Sequence, residues 1–175
     1  ARDELPQSGS GKTIMTSEPK FVPEEAVEIS PDGTAKLRVR MIDSVGYLVR
    51  GALGTQEGGD ARMVSTPWSQ QDIPFEEAAE IGTRKVITDH STIGLVITTD
   101  GSISDIPREE YAEAEERVIE ELKAINKPFI ALLNCMYPDS KEALDTAKEL
   151  SVKYGVPVIP TNCLELTDED IKHIL

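Results

Sequence analysis

Residues 91–135 read "STIGLVITTDGSISDIPREEYAEAEERVIEELKAINKPFIALLNC", and their pattern decides the fold. Residues 91–100 are a β-branched run that ends in a polar turn. Residues 107–125 have helical spacing, with Tyr111, Ala114, Val118, Leu122 and Ile125 on one apolar stripe. Pro107 suits the first turn of that helix, and its many glutamates are expected on a solvated face. Glu113 and Arg117 are spaced i,i+4, a pair worth only about 0.2–0.5 kcal/mol. Residues 127–135 are a continuous apolar run. Apolar strands on either side of a helix indicate a parallel sheet buried on both faces.

The same alternation extends outward. Downstream, a helix is expected over 139–154, closed by Gly155. A strand follows at 156–162. Thr167 then caps a last helix, with Asp170 in the capping-box position. Upstream, a helix begins at Pro74, with Phe75, Ala78, Ala79, Gly82 and Val86 sharing a face. Ligands of such sheets sit beyond the carboxyl ends of the strands. Those ends carry Asp43, Asp100, Asn134 with Cys135, and Asn162 with Cys163.

Before residue 75 the pattern changes. Residues 20–30 have partial strand character, with Pro23 suited to an edge, and "PDG" at 31–33 signals a turn. Residues 34–42 alternate strictly. Ala35, Leu37, Val39 and Met41 lie on one face; Lys36, Arg38 and Arg40 lie on the other. The two runs are expected to form a hairpin over 20–43 with one solvated face. Residues 44–74 are polar and rich in Gly and Pro, a long connection of the kind that is usually functional or disordered.

The hairpin ends in "MIDSVGY", a D-x-x-G at Asp43–Gly46. In P-loop NTPases such an aspartate helps hold Mg²⁺, and a glycine amide can approach a γ-phosphate because no side chain blocks it. The motif alone equally describes a turn Asp with a turn Gly. Its context resembles a Ras-like NTPase, in which a threonine-bearing switch loop precedes such a hairpin. Here Thr13 and Thr16 precede it. A threonine hydroxyl is a suitable hard oxygen ligand for Mg²⁺. Where that superfamily carries N-K-x-D for guanine, this chain reads "NCMY", Asn134 to Tyr137. The Lys and the guanine-reading carboxylate are missing, which favours ATP over GTP, or no nucleotide.

Gly11-Lys12-Thr13 imitates the end of a P-loop, G-x-x-x-x-G-K-[ST]. The leading Gly would be Pro6, which cannot make that turn. "ARDELP" supplies no buried strand, and Pro19 and Pro23 prevent a helix after Thr13. The triplet is therefore expected to be loop.

Composition narrows the functional classes. Net charge is -14, from 18 basic and 32 acidic residues. That argues against nucleic-acid binding and against direct adsorption to anionic lipid. No run of 18 apolar residues spans a membrane, and no signal-peptide pattern opens the chain. The start lacks a Met and reads as a cut inside a longer protein. Cys135 and Cys163 are expected to be free thiols in a reducing compartment. Neither they nor His90 and His173 show metal or nucleophile spacing.

"DELPQS", "GKTIMTSEPKF", "IDSVGY", "PFEEAAEIGTRKVI", "HSTIG", "VITTDG", "EAEERVIEELK" and "KPFI" together closely resemble the stage IV sporulation protein A family of spore-forming bacteria. The resemblance spans nearly the whole chain. It implies an α/β, Ras-like P-loop ATPase domain with a mostly parallel sheet, one antiparallel hairpin, and helices on both faces. It places the first strand, the P-loop and the first helix upstream of this sequence. Their absence would split the sheet and expose strand edges. On this reading residues 1–175 are a partial ATPase domain: a switch-type loop at 1–19, the hairpin at 20–43, a switch II-type loop at 44–74, and alternating helix and strand over 75–175.

The resemblance makes Thr16 the sensor threonine, followed by Ser17 where the family has a second threonine, and makes Asp43 the Walker B aspartate. The implied catalytic residues are Thr16, Asp43 and Gly46, with Thr16 and Asp43 holding Mg²⁺. Thr13, Ser17, Gly46 and Asn134 are the implied ATP-binding positions. The family hydrolyses ATP and polymerises into the basement layer of the spore coat. That layer lies on the mother-cell cytoplasmic face of the forespore outer membrane. A small amphipathic membrane-binding peptide recruits it, other coat proteins join it, and nothing in it spans the membrane. Two other readings are carried forward. One is a non-catalytic self-assembling scaffold module that binds through sheet edges and the 44–74 loop; Trp68 is then its anchor, although a buried capping aromatic is the more ordinary reading of that residue. The other is a GTPase.

Overall fold

The computed structural model describes residues 8–9, 12–13, 20–30, 33–52, 54–66 and 69–174. Contacts divide the chain into two units, Ala1–Val27 with Arg38–Ser91 and Glu28–Leu37 with Thr92–Leu175.

Strands β1 (Ser8–Gly9) and β2 (Lys12–Thr13) pair antiparallel, with Ser8 opposite Thr13 and Gly9 opposite Lys12. The Lys and Thr of a P-loop belong to a strand-to-helix turn. Here both lie in an extended strand, which removes the P-loop reading of this triplet.

Strands β3 (Lys20–Ile29) and β4 (Leu37–Asp43) form a two-stranded sheet, as the alternation predicts. Ser30 Oγ donates to the Ala35 carbonyl at 2.8 Å, and Lys36 pairs with Glu28 at 2.8 Å. The Arg40 guanidinium lies 4.0 Å over the Phe21 ring. The expectation of one solvated face needs correction, because Leu37 and Met41, on the apolar side, are exposed too. A period-two pattern specifies which residues share a face, not what covers that face.

Residues 44–74 are not one unstructured loop. Strands β5 (Gln56–Glu57) and β6 (Asp60–Ala61) pair antiparallel, as do β7 (Met63–Val64) and β8 (Ile73–Pro74). Two-residue strands carry too little periodicity to be seen in sequence. Helix α1 (Phe75–Lys85) follows and buries Phe75, Ala78, Ala79, Gly82 and Thr83. Glu76 and Glu77 in its first turn, and Arg84 and Lys85 in its last, complement the helix dipole. A π-helical turn, Val86–His90, continues the helix and buries Val86.

In the second unit, β9 (Gly94–Thr99), β10 (Phe129–Asn134) and β11 (Val158–Thr161) form a parallel sheet in the order β11-β10-β9. Helix α2 (Arg108–Ala124) connects β9 to β10, and α3 (Lys141–Tyr154) connects β10 to β11. Glycine at 94 lets α2 approach the sheet closely: a Cβ there would meet Leu122 and Phe129 at 3.1 Å. The core gathers Val96, Ile119, Leu122, Ala131, Leu132, Leu133, Ala147 and Leu150. Ser140 caps α3 by accepting from the Ala143 amide at 3.1 Å, and Gly155, in the left-handed conformation, closes it. Helix α4 (Asp168–Ile174) begins with the expected reciprocal box. Thr167 Oγ1 accepts from the Asp170 amide at 3.2 Å, and Asp170 Oδ2 accepts from the Thr167 amide at 2.8 Å.

Two expectations are corrected here. The buried face of α2 runs through Glu115, Ile119 and Leu122, while Ile125 is exposed. Among the described residues the parallel sheet does not continue into the hairpin: β3 and β4 are a sheet of their own, and β9 pairs with β10. The described chain is thus an α/β fold of parallel and antiparallel sheets. The edge strand β9 leaves Leu95 46% and Ile97 56% exposed.

Candidate functional site

Two loop clusters carry the residues singled out above, one in each unit. In the first unit, β4 delivers Asp43 to the strand end, where it is exposed. The chain then turns through Ser44 and Val45 to Gly46, whose φ is +78°. Only glycine adopts that conformation without a steric penalty. The Gly46 amide donates to Thr83 Oγ1 at 3.0 Å. Thr83 is 3% exposed, on the buried face of α1. Tyr47, also buried, follows Gly46 and anchors the loop.

No atom outside the immediate chain lies within 4 Å of where a Cβ of residue 46 would stand. The loop therefore presents an accessible carboxylate and, three residues on, a backbone amide bonded to Thr83, on a residue whose missing side chain leaves open space. That donor set suits a hydrated divalent cation next to an anionic oxygen: a hard carboxylate for the ion and a neutral amide for the oxygen. Among the described residues, no group of three or more His, Cys, Asp or Glu is placed to hold a metal by itself. Thr16 and Ser17 lie outside the described residues, and so does Trp68. Of Thr13 only the backbone pairing is described.

In the second unit, the loops beyond the carboxyl ends of β9, β10 and β11 are tied to one another. Asn134 Oδ1 accepts from the Cys163 amide at 3.0 Å, and the Cys135 amide donates to the Thr161 carbonyl at 3.0 Å. Ser102 Oγ donates to Asp100 Oδ1 at 2.6 Å and accepts from the Met136 amide at 2.9 Å. Asn162 Nδ2 lies 3.3 Å from both the Met136 carbonyl and Glu165 Oε2. These bonds hold three loops in register while Ile103, Met136, Tyr137 and Leu164 remain exposed. Asn134 thus orders the neighbouring loop through its own side chain. Both cysteines are free. Burial pushes both thiols above their ordinary range, so neither serves as a thiolate at neutral pH.

Two participants carry no signal in the sequence. Thr83 was hidden because a threonine within an apolar helix face reads as packing. Glu115 was hidden among the glutamates of α2. It is buried, with Arg108 Nη2 at 2.8 and 2.7 Å from its two oxygens and the Tyr154 hydroxyl donating to Oε1 at 2.6 Å. Burial, then the Glu115 contact, pushes the Tyr154 hydroxyl up to about 12. Lys123 Nζ also donates to the Tyr154 carbonyl, and Lys153 Nζ pairs with Glu116 at 3.1 Å, so several side chains join α2 to the end of α3.

Parallel strands with helical crossovers, together with antiparallel strand pairs, define an α/β protein. The family model described as "Stage IV sporulation protein A, ATPase domain" matches residues 1–175, and the chain belongs to that family. It is 59% identical over 174 residues to stage IV sporulation protein A of Clostridioides difficile (strain 630), covering 99% of this chain and 35% of that protein. It is 51% identical over 175 residues to the proteins of the same name from Bacillus anthracis and Bacillus subtilis (strain 168), covering all of this chain and 36% of each. The chain therefore spans about a third of the length of these relatives. No solved structure matches it.

Proposed function

We propose that this chain is the switch-bearing part of a Ras-like ATPase domain in a self-assembling spore-coat protein, and that it handles Mg-ATP through the Asp43–Gly46 turn. The observation that carries the reading is that turn: an exposed carboxylate at a strand end, then a left-handed glycine with open space where a side chain would stand. Family membership supports it.

On this reading Asp43 holds the ion, directly or through water, and Thr16 contributes its hydroxyl. Bound Mg²⁺ would neutralise charge that develops on the transferred phosphoryl group. Gly46 donates its amide to a γ-phosphate oxygen. The family resemblance also assigns Thr13, Ser17 and Asn134 to ATP binding. The missing partners for guanine in "NCMY" favour adenine. Assembly on the mother-cell face of the forespore outer membrane, recruitment by a small amphipathic peptide, and contacts with other coat proteins belong to the same proposal.

One observation favours a second reading, a self-assembling scaffold module without catalysis of its own. Among the described residues strand β9 has a partner on one side, and its Leu95 and Ile97 are exposed. Such an edge is a template for strand addition.

Sedimentation of the full-length protein separates the two readings. The ATPase reading expects large assemblies with Mg-ATP and little assembly without nucleotide at the same concentration. Assembly driven by concentration alone, indifferent to nucleotide, would support the scaffold reading instead.

A further inference from the structure

We infer that Thr83 is a positioning residue that sets how strongly this site distinguishes ATP from ADP. It does so by competing with the γ-phosphate for the Gly46 amide. The inference rests on the reading of Gly46 as the γ-phosphate donor and adds a residue to it.

Three features of the first unit carry the argument. The Gly46 N–H is already engaged, donating to Thr83 Oγ1 at 3.0 Å. A backbone amide has one proton, and sharing it between two acceptors weakens both bonds. The acceptor is fixed, because Thr83 is buried on α1, and a β-branched side chain in a helix has few rotamers to move through. The donor belongs to a glycine. Gly46 sits at φ +78°, and with no Cβ a glycine takes up a wider range of backbone angles than any other residue, so the amide is the partner that can turn. The arrangement thus has two discrete states: amide to Thr83, or amide to phosphate.

A ligand shifts such an equilibrium only by its differential interaction with the two states. ATP has the γ-phosphate that takes the amide, and ADP does not. The bond to Thr83 therefore lowers apparent ATP affinity by the fraction of loops held in the Thr83 state, and ADP is untouched. One neutral hydrogen bond corresponds to about a threefold to tenfold change.

The test uses the full-length protein, with Mg-ATP and Mg-ADP affinities measured side by side. Thr83→Val keeps the shape and packing and removes the acceptor. Thr83→Ser keeps the hydroxyl. The expected result is an ATP/ADP affinity ratio about threefold to tenfold higher for Thr83→Val, arising from ATP alone, with Thr83→Ser close to the unmutated protein. A structural role for Thr83 would move both nucleotides together. A Thr83→Val ratio equal to or below the unmutated one overturns the inference. Asp43→Ala in the same assay tells the two failures apart. If it weakens Mg-ATP binding while Thr83→Val leaves the ratio unchanged, the competition is wrong and the site stands. If Asp43→Ala leaves Mg-ATP binding intact, the site reading falls and the inference with it.

Discussion

Asp43→Ala in the full-length protein is expected to lower the rate of ATP hydrolysis by about 10²–10³-fold, the scale on which a single electrostatic group matters to phosphoryl transfer. Positioning and charge stabilisation do most of the work in that chemistry, so a lost metal ligand is felt in kcat. The fold is not expected to suffer. Asp43 is exposed at the end of β4, and exposed substitutions away from special contacts usually move stability by no more than about 0.5 kcal/mol. Turnover measured together with circular dichroism checks both halves. Unchanged turnover would remove Asp43 from the site.

The second large effect is structural. Glu115→Ala is expected to destabilise the α2–α3 region by about 2–4 kcal/mol, somewhat less than the loss of a fully buried partner because Arg108 is partly solvated. Glu115 is 5% exposed, and Arg108 Nη1 is itself buried without a hydrogen-bond partner. Removing Glu115 would leave the guanidinium and the Tyr154 hydroxyl both short of an acceptor. Hydrogen exchange of α2 and α3 amides reads this directly. Protection as strong in the variant as in the unmutated protein would show the cluster to be energetically idle.

The same contact predicts a pH dependence of stability. An unfolded tyrosine loses its proton near 10, whereas Tyr154 keeps its own to about 12. The folded state then binds more protons than the unfolded one, so this contribution is complete below pH 10 and lost as pH rises from 10 to 12. Tyr154→Phe should flatten the fall.

Much of the second unit was legible because its elements are long and periodic. The β-branched run at 91–100, the apolar run at 127–135 and the cap signals Gly155 and Thr167 each state one local preference, and the structure has strands at Gly94–Thr99 and Phe129–Asn134 and both caps. The short strands of residues 44–74 were not legible, since two residues cannot display a period. Glu115 was misread for a different reason. Composition assigns a glutamate to solvent, and only its three-dimensional partners, Arg108 and Tyr154, make its burial affordable. At the candidate site, Asp43 and Gly46 could be found because D-x-x-G is local in sequence. Thr83 could not, because it lies 37 residues away from Gly46. The exposure of Leu37, Met41, Leu95 and Ile97 has a common cause. Alternation in a strand declares an apolar face, but what covers that face is a tertiary fact.

The most direct test of the account is calorimetric binding of Mg-ATP and Mg-GTP to the full-length protein. The account predicts saturable, Mg-dependent binding of ATP, with GTP weaker by about tenfold or more because the guanine-reading carboxylate is missing. Equal affinity for the two nucleotides, or no binding of ATP, would contradict it.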